Sequence, residues 1–414
     1  LAAFVNPVYS IFVYVVWFMS VYFIVLFLLY MFEGRKNLFK RPKELVRSDL
    51  PKVSMIISAF NEEGNIKHTI SSLKRIDYPK DKIEFIIIND GSRDRTCKEV
   101  RKHIDKRFVF LDNKVNKGKA ACLNQGIGAA TGDLVATMDA DSVVEREILR
   151  KTVPYFKSQK TGAVTVSVEV KDPKTFMEKI IELEYIIGLS LFLKVFSFAK
   201  CIHVTPGPFS IYRKSMLDEI GGFDAKNITE DLEIAYRIRR AGYDIDCCMS
   251  AKVRTKIPTT VKGLYRQRKR WYTGALLTVW QHRDMVGRSK WGVFGYFLAF
   301  HYSLVILGMG LFLYTTYLAA SNFIKKLYFY YLTGFNFHWE FELDPLSISI
   351  FYFFGFSALI VSILMLYLGM KASRKSMSNR KLGIFGYLYI FFMYQIFWIS
   401  SIFSAITGRR VKWR

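Results

Sequence analysis

Four stretches of this chain, Val8 to Phe32, Trp291 to Ala320, Leu346 to Met370 and Leu382 to Thr407, are apolar and free of charged residues. As a helix, each would cross about 30 Å of hydrocarbon. None shows a polar face, so packing on one side of a soluble core would leave apolar surface in water. The first run has no basic region before it and no small-residue cleavage site, and reads as an anchor, not a signal peptide. These runs account for a composition that is 51% hydrophobic and 16% aromatic, rich for a soluble domain.

Charge locates the chain relative to the bilayer. The net charge is +25, from 60 Lys and Arg against 35 Asp and Glu. Arg35, Lys36, Lys40, Arg41, Lys43 and Arg47 follow the first run, and Lys371, Arg374, Lys375, Arg380 and Lys381 lie between the last two. Clusters flanking membrane spans stay cytoplasmic. About four transmembrane helices are therefore expected in the cell membrane, with the N-terminus outside and residues 33–290 in the cytosol. The basic tail Arg409, Arg410, Lys412 and Arg414 disagrees, landing outside unless the last run is re-entrant. With the flanking clusters set aside no basic stripe remains, so the expected partner is the lipid bilayer and not nucleic acid. Cys97, Cys122, Cys201, Cys247 and Cys248 contain no C-x-x-C pattern and are odd in number, as in a reducing compartment.

Between the first two runs, short apolar segments alternate with helical ones. Val53–Ala59, Ile83–Ile88, Phe108–Leu111 and Leu134–Met138 read as strands, and 65–75, 93–106 and 119–130 as helices. This alternation predicts a doubly wound, mainly parallel α/β sheet. Ala163–Val170 reads as a further strand. Phe176–Phe198 reads as a helix that either covers the site or lies on the membrane. In doubly wound sheets ligands sit at the carboxyl ends of strands, where Asn61-Glu62-Glu63, Asn89-Asp90 and Asp139/Asp141 fall. The first turn lacks G-x-G-x-x-G, which argues against a dinucleotide-dependent oxidoreductase. No G-x-x-x-x-G-K-[ST] is present, which argues against a P-loop ATPase.

Three patterns carry chemistry. Asp139 and Asp141, two apart at a strand end, point to one face and can share a hard divalent cation, Mg²⁺ or Mn²⁺. Alone, the pair fits solvated turn aspartates better. Thr229-Glu230-Asp231 fits a capped helix N-terminus or a catalytic carboxylate. In Gln267-Arg268-Lys269-Arg270-Trp271, arginine can clamp a diphosphate and the indole can offer a plate to a sugar ring. Arg266, Arg268 and Lys269 read equally well as lipid-headgroup contacts.

Ser58-Ala-Phe-Asn-Glu-Glu63, Asn89-Asp-Gly-Ser92, Asn116-Lys-Gly-Lys119 with Leu123-Asn124, Asp139-Ala-Asp141, Thr229-Glu-Asp231 and Gln267-Arg-Lys-Arg-Trp271 occur in that order. Together they resemble the inverting, nucleotide-sugar-dependent glycosyltransferases of family 2, above all the membrane-integrated cellulose, chitin, hyaluronan and poly-N-acetylglucosamine synthases. The resemblance covers roughly residues 50–290 and the flanking spans. It implies a GT-A fold, a Rossmann-like doubly wound mixed sheet, in a cytosolic domain over 50–260. An interfacial helical segment over 261–290 and a transmembrane region over 291–414 would follow, with the first anchor over 1–33. It further implies that Ala59, Phe60, Glu62 and Asp90 line the nucleoside pocket and that Lys119 approaches the nucleotide. Asp139 and Asp141 would hold the metal on the diphosphate, Asp141 as direct ligand. Asp231, with Glu230 beside it, would supply the catalytic base. Gln267 and Arg270 would lie at the substrate, Arg270 on the pyrophosphate, with Trp271 at the acceptor sugar and Arg268 a weaker phosphate candidate.

The expected substrates are a UDP- or GDP-sugar and a saccharide or lipid-linked acceptor. Chain elongation is favoured by the Gln-x-x-Arg-Trp element; single addition to a polyprenyl phosphate is the alternative. Four spans are few for a one-chain export channel, so a homo-oligomer is a further expectation. A glycosidase would need no phosphate apparatus. A transporter would carry fixed intramembrane charges, and the runs hold only His301 and Gln395 as conspicuous polar groups.

Overall fold

The computed structural model describes residues 7–334, most of 356–371, and 381–407. The first part of the third apolar run, 346–355, most of the basic cluster after the run and the basic tail lie outside the described residues.

Eight strands form one sheet in the order β3-β2-β1-β4-β7-β6-β8-β5. They are β1 (Val53–Ala59), β2 (Ile83–Asp90), β3 (Phe108–Asn113), β4 (Leu134–Asp139), β5 (Val143–Val144), β6 (Thr161–Val170), β7 (Ser210–Arg213) and β8 (Asp244–Thr255). The first four are the apolar runs read from the sequence, and they pair in parallel. Such strands are apolar throughout because both faces are covered. β7 runs antiparallel to β4 and β6, and β5 antiparallel to β8. The sheet is therefore mixed. Register aligns the carboxyl ends that matter: Ala59 pairs with Asn89, and Ser58 with Asp139.

The first crossover helices are α2 (Ile66–Lys74), α3 (Thr96–His103) and α4 (Lys119–Ala129), with α5 (Ile148–Thr152) after β5. The long apolar segment after β6 is α6 (Phe176–Ile186), a π-helical turn over Ile187–Phe192, and α7 (Leu193–Phe198). A Thr175/Glu178 capping box starts α6. Most of the segment is buried. Its α6 part packs on β6 and its α7 part on β8, with helices described next against its other side. α8 (Lys214–Ile220), α9 (Glu230–Arg240) and α10 (Val261–Gln281) complete the domain.

Among the described residues, two helices are long and apolar enough to cross a membrane by length and composition. They run over Tyr9–Asn37, most of it α1 (Pro7–Glu33), and over Ser289–Leu332, most of it α11 (Gly292–Leu332). The two pack antiparallel. Tyr9 meets Tyr314 with ring centroids 5.5 Å apart, and Tyr22 meets Phe300 at 5.7 Å. Their domain-proximal ends thus lie together, and Phe27 of α1 rests on Phe192 at 4.6 Å. The fourth apolar run is helical as α12 (Lys381–Ile406). It departs from the sequence expectation in its surroundings. From Gly386, backed by Phe176 and Ile180, to Ser401, bonded to α10, it lies along α6 and α10. Tyr394, Ser400 and Ser401 give it a polar seam that the run's overall apolarity conceals.

Candidate active site

The site forms where the carboxyl ends of β1, β2 and β4 meet the start of α9. Asp139 is the last residue of β4, and Ser142 N–H bonds back to its carbonyl at 3.2 Å, turning the chain so that Asp141 follows on the same side. Asp141 accepts from Thr255 Oγ1 at 3.2 Å and Ser142 Oγ at 3.3 Å. Burial, then the carboxylates of Asp139 and Glu62, push its carboxyl up to about 7. Glu62 itself accepts from Asn65 Nδ2 at 2.6 Å in the turn before α2.

One lysine joins the two halves of the site. Lys119, the first residue of α4, places Nζ 2.6 Å from Asp139 Oδ1 and 2.8 Å from Glu230 Oε1. Asp90 sets the loop before it, accepting from Lys117 N at 2.7 Å and Gly118 N at 3.0 Å. Glu230 is 3% exposed. Burial acts to raise its pKa, yet the Lys119 ammonium and the Arg270 guanidinium outweigh that and hold it below the usual carboxylate range.

Asp231 is held from behind. Its carbonyl accepts from Thr205 N at 2.9 Å and Thr205 Oγ1 at 2.8 Å, and Gly207 N–H points to its Oδ2 at 3.3 Å. Position 207 lies against the ion pair: a Cβ there would meet Lys119 Nζ at 2.7 Å and Asp139 Oδ2 at 3.1 Å, and these side chains would have to shift. Burial and then the Glu230 carboxylate push the Asp231 carboxyl up to about 6, against the pull of Lys119 and Arg270. A carboxylate poised there can take a proton near neutral pH.

The structure thus brings together Glu62, Lys119, Asp139, Asp141, Glu230, Asp231 and Arg270. Ala59 is fully buried in the core beside Ile66. It offers no surface to a ligand, because β1 is a central strand covered on both faces. The part-buried Phe60 and Glu62 present the surface of that turn. Asp90 is 2% exposed, and the described bonds of its carboxylate hold the loop before α4.

The Gln-x-x-Arg-Trp segment lies inside α10. Arg268, read as a headgroup or phosphate contact, does neither. It is fully buried, with Nη2 2.6 Å from Glu184 Oε2 and Nη1 2.8 Å from Gln267 Oε1. Its guanidinium centre lies 4.1 Å from the Trp271 ring centroid. Sequence reasoning missed Thr205, Gly207, Thr255 and Glu184. Thr205-Pro206-Gly207-Pro208 gave the only local signal, as a rigid turn, and nothing in it named the distant partners.

As for a metal, no three His, Cys, Asp or Glu side chains converge on a common point among the described residues. Two aspartates do converge, with Glu62 near enough to raise one of them. A surplus of oxygen anions of this kind suits a hard divalent cation that takes its remaining ligands from phosphate and water.

Comparison with known proteins bears on the fold and the family. The chain is 33% identical over 261 residues to a poly-beta-1,6-N-acetyl-D-glucosamine synthase of Staphylococcus aureus strain MSSA476. It is 34% identical over 264 residues to the synthase of that name from Staphylococcus epidermidis. Each match covers 62% of this chain and 63% of the relative, so it spans a little under two thirds of the relatives' length. Among solved structures, the mannosyltransferase PcManGT from Pyrobaculum calidifontis, in complex with GDP-Man and Mn²⁺, has a TM-score of 0.61 at 20% identity. That match covers 95% of this chain and 98% of the other, and shows a shared fold. A family model described as "Glycosyltransferase like family 2" matches residues 51–274, more than half of the chain, and the chain belongs to that family.

Proposed function

We propose that this protein is an inverting, nucleotide-sugar-dependent glycosyltransferase that extends a polysaccharide at the cytosolic face of the cell membrane. The observation that carries the reading is the row Asp139–Lys119–Glu230, with Asp231 next in sequence. It sets a diphosphate-directed group and a base poised near neutrality on two sides of one site. UDP-N-acetylglucosamine is the leading donor, supported by the likeness to poly-beta-1,6-N-acetyl-D-glucosamine synthases. The membrane placement is supported by the apolar α1 and α11 and by the basic residues 35–47 beside them.

In this mechanism Asp231 accepts the proton of the acceptor hydroxyl as its oxygen bonds to the anomeric carbon. The bond from that carbon to the diphosphate breaks on the opposite side, inverting the centre, and the nucleoside diphosphate leaves with the electron pair. Lys119 and Arg270 meet the charge that develops on it. Asp139 and Asp141 would hold Mg²⁺ or Mn²⁺, which would supply further neutralisation of the diphosphate. Trp271 offers its indole to the acceptor sugar.

The test is purified protein in lipid with Mg²⁺ or Mn²⁺, offered a panel of UDP- and GDP-sugars and saccharide primers, with products sized. A ladder of lengthening chains from UDP-N-acetylglucosamine is expected. Products limited to one added sugar would overturn elongation, and no nucleotide release from any donor would overturn glycosyl transfer.

A further inference from the structure

Arg268 combines features that a merely structural residue does not need. It is fully buried, and its charge faces one carboxylate, Glu184 of α6, whose side chain keeps 23% exposure. Glu184 Oε2 also accepts from Tyr394 OH of α12 at 2.6 Å. The flat guanidinium lies between rings: Trp271 at 4.1 Å, Tyr394 at 5.6 Å and Tyr185 at 6.0 Å from its centre. Its Nε has no hydrogen-bond partner among the described residues. A buried charge satisfied this incompletely stabilises a fold poorly, and an apolar side chain of similar volume would serve as well or better. What the arginine does provide is geometry. One planar fork engages Glu184 and Gln267 at once while its face lies on Trp271.

We propose that Arg268 is a positioning residue for the acceptor side of the reaction, and that α12 takes part in that positioning through Tyr394 and Glu184. The proposal rests on the reading that Trp271 meets the acceptor. Arg268 fixes the indole from within α10, and Gln267 is oriented by the same guanidinium. Glu184 fixes Arg268, and Tyr394 fixes Glu184. The apolar run that would otherwise serve only as a membrane helix thus becomes part of the scaffold of the site. The nucleotide-side row of Lys119, Asp139 and Glu230 stands on α4, β4 and α9, and this network on α6, α10 and α12, so mutations can be placed on either side and compared.

Arg268→Lys keeps the charge but cannot hold Glu184, Gln267 and the indole face together. Tyr394→Phe removes only the outermost bond and keeps the ring. Both are compared with the parent protein in lipid, reading the KM for a saccharide primer and the acceptor-independent release of nucleotide from the donor. Arg268→Lys is expected to raise the primer KM about tenfold, and Tyr394→Phe about threefold, with nucleotide release within twofold of the parent. Equal losses in both readouts would overturn the proposal in favour of general destabilisation, as would an unchanged primer KM in both variants. Should Arg268→Lys not fold, Glu184→Gln with Tyr394→Phe provides the same comparison. If the parent itself released no nucleotide, the functional reading would fail; a parent with activity and variants without the split would sink this proposal alone.

Discussion

Lys119 Nζ lies 2.8 Å from Glu230 Oε1, with side chains only 13% and 5% exposed. This contact links the first helix turn after the nucleotide-side loop to the first residue of α9. Removing one partner of a buried pair strands the other as an uncompensated charge, which costs about 3–5 kcal/mol. Lys119→Met should therefore lower thermal stability by several degrees and abolish transfer. Adding Glu230→Gln should recover part of the stability, since one of the two carboxylates that lose Lys119 is neutralised while Asp139 remains, but not the activity. Thermal unfolding of the two single variants and the double variant in detergent reads the coupling. A double variant as unstable as the two singles summed would mean that the residues act separately.

The raised carboxyl of Asp231 sets a pH dependence. As base it must be ionised, so transfer should rise with pH through about 6 and level off above pH 7. Linkage runs the other way. Its folded pKa lies above the ordinary 3.8, so the folded chain holds the proton more tightly than the unfolded one. That contribution to stability is complete below about pH 4 and is lost as pH rises to about 6. Asp231→Asn should abolish transfer at every pH, bind nucleotide as the parent does, and be no less stable at pH 7. A pH–rate profile with nucleotide titrations checks this; lost nucleotide affinity at unchanged turnover would contradict the role of base.

Where burial is uniform along a segment, residue type alone marks it. Val53–Ala59 is apolar on both faces, and β1 has those same bounds. β8 was not legible. Asp244, Asp246, Lys252 and Arg254 interrupt its apolar residues, and its pairing with β6 shifts register between Val166 and Ser167, so no single period runs through it. The same contrast divides the site. Asp139, Asp141 and Asp231 stand at strand and helix ends, where polar residues follow apolar ones. Gly207 and Arg268 owe their places to partners far along the chain, Lys119 and Glu184, and local patterns carry no record of such meetings. A basic run before an apolar one looks the same whether its arginines face headgroups or, as Arg268 does, an interior carboxylate.

The metal proposal has its own readout. Asp141→Asn removes one of the two converging carboxylates while leaving an acceptor for Thr255 and Ser142. Mn²⁺ binding in the presence of nucleotide, followed by electron paramagnetic resonance, should weaken at least tenfold, and transfer should fall with it. Chelator should silence the parent protein, and Mn²⁺ or Mg²⁺ should restore it. Full transfer in excess chelator would remove the cation from the mechanism and leave Lys119 and Arg270 as the counter-charges.

The last prediction concerns the seat of α10 on the base. Gly274 lies against Thr229, the residue before Glu230, and a Cβ at 274 would collide with the Thr229 side chain. Thr229 is itself held, its N–H and Oγ1 both meeting Asn227 Oδ1, so it cannot swing aside freely. Gly274→Ala should thus push α10 away from the start of α9 and with it Arg270 away from Glu230 and Asp231. Overpacking of this kind costs about 1–3 kcal/mol, a modest loss that leaves the protein folded. The larger effect should fall on kcat, by tenfold or more, because the groups that act on the leaving diphosphate and on the acceptor proton no longer share one geometry. Gly128→Ala in α4 is the control: a Cβ there meets nothing within 4 Å, and alanine favours the helix by up to about 1 kcal/mol. If Gly274→Ala lost stability with kcat intact, α10 would be a structural neighbour of the site and not one of its walls.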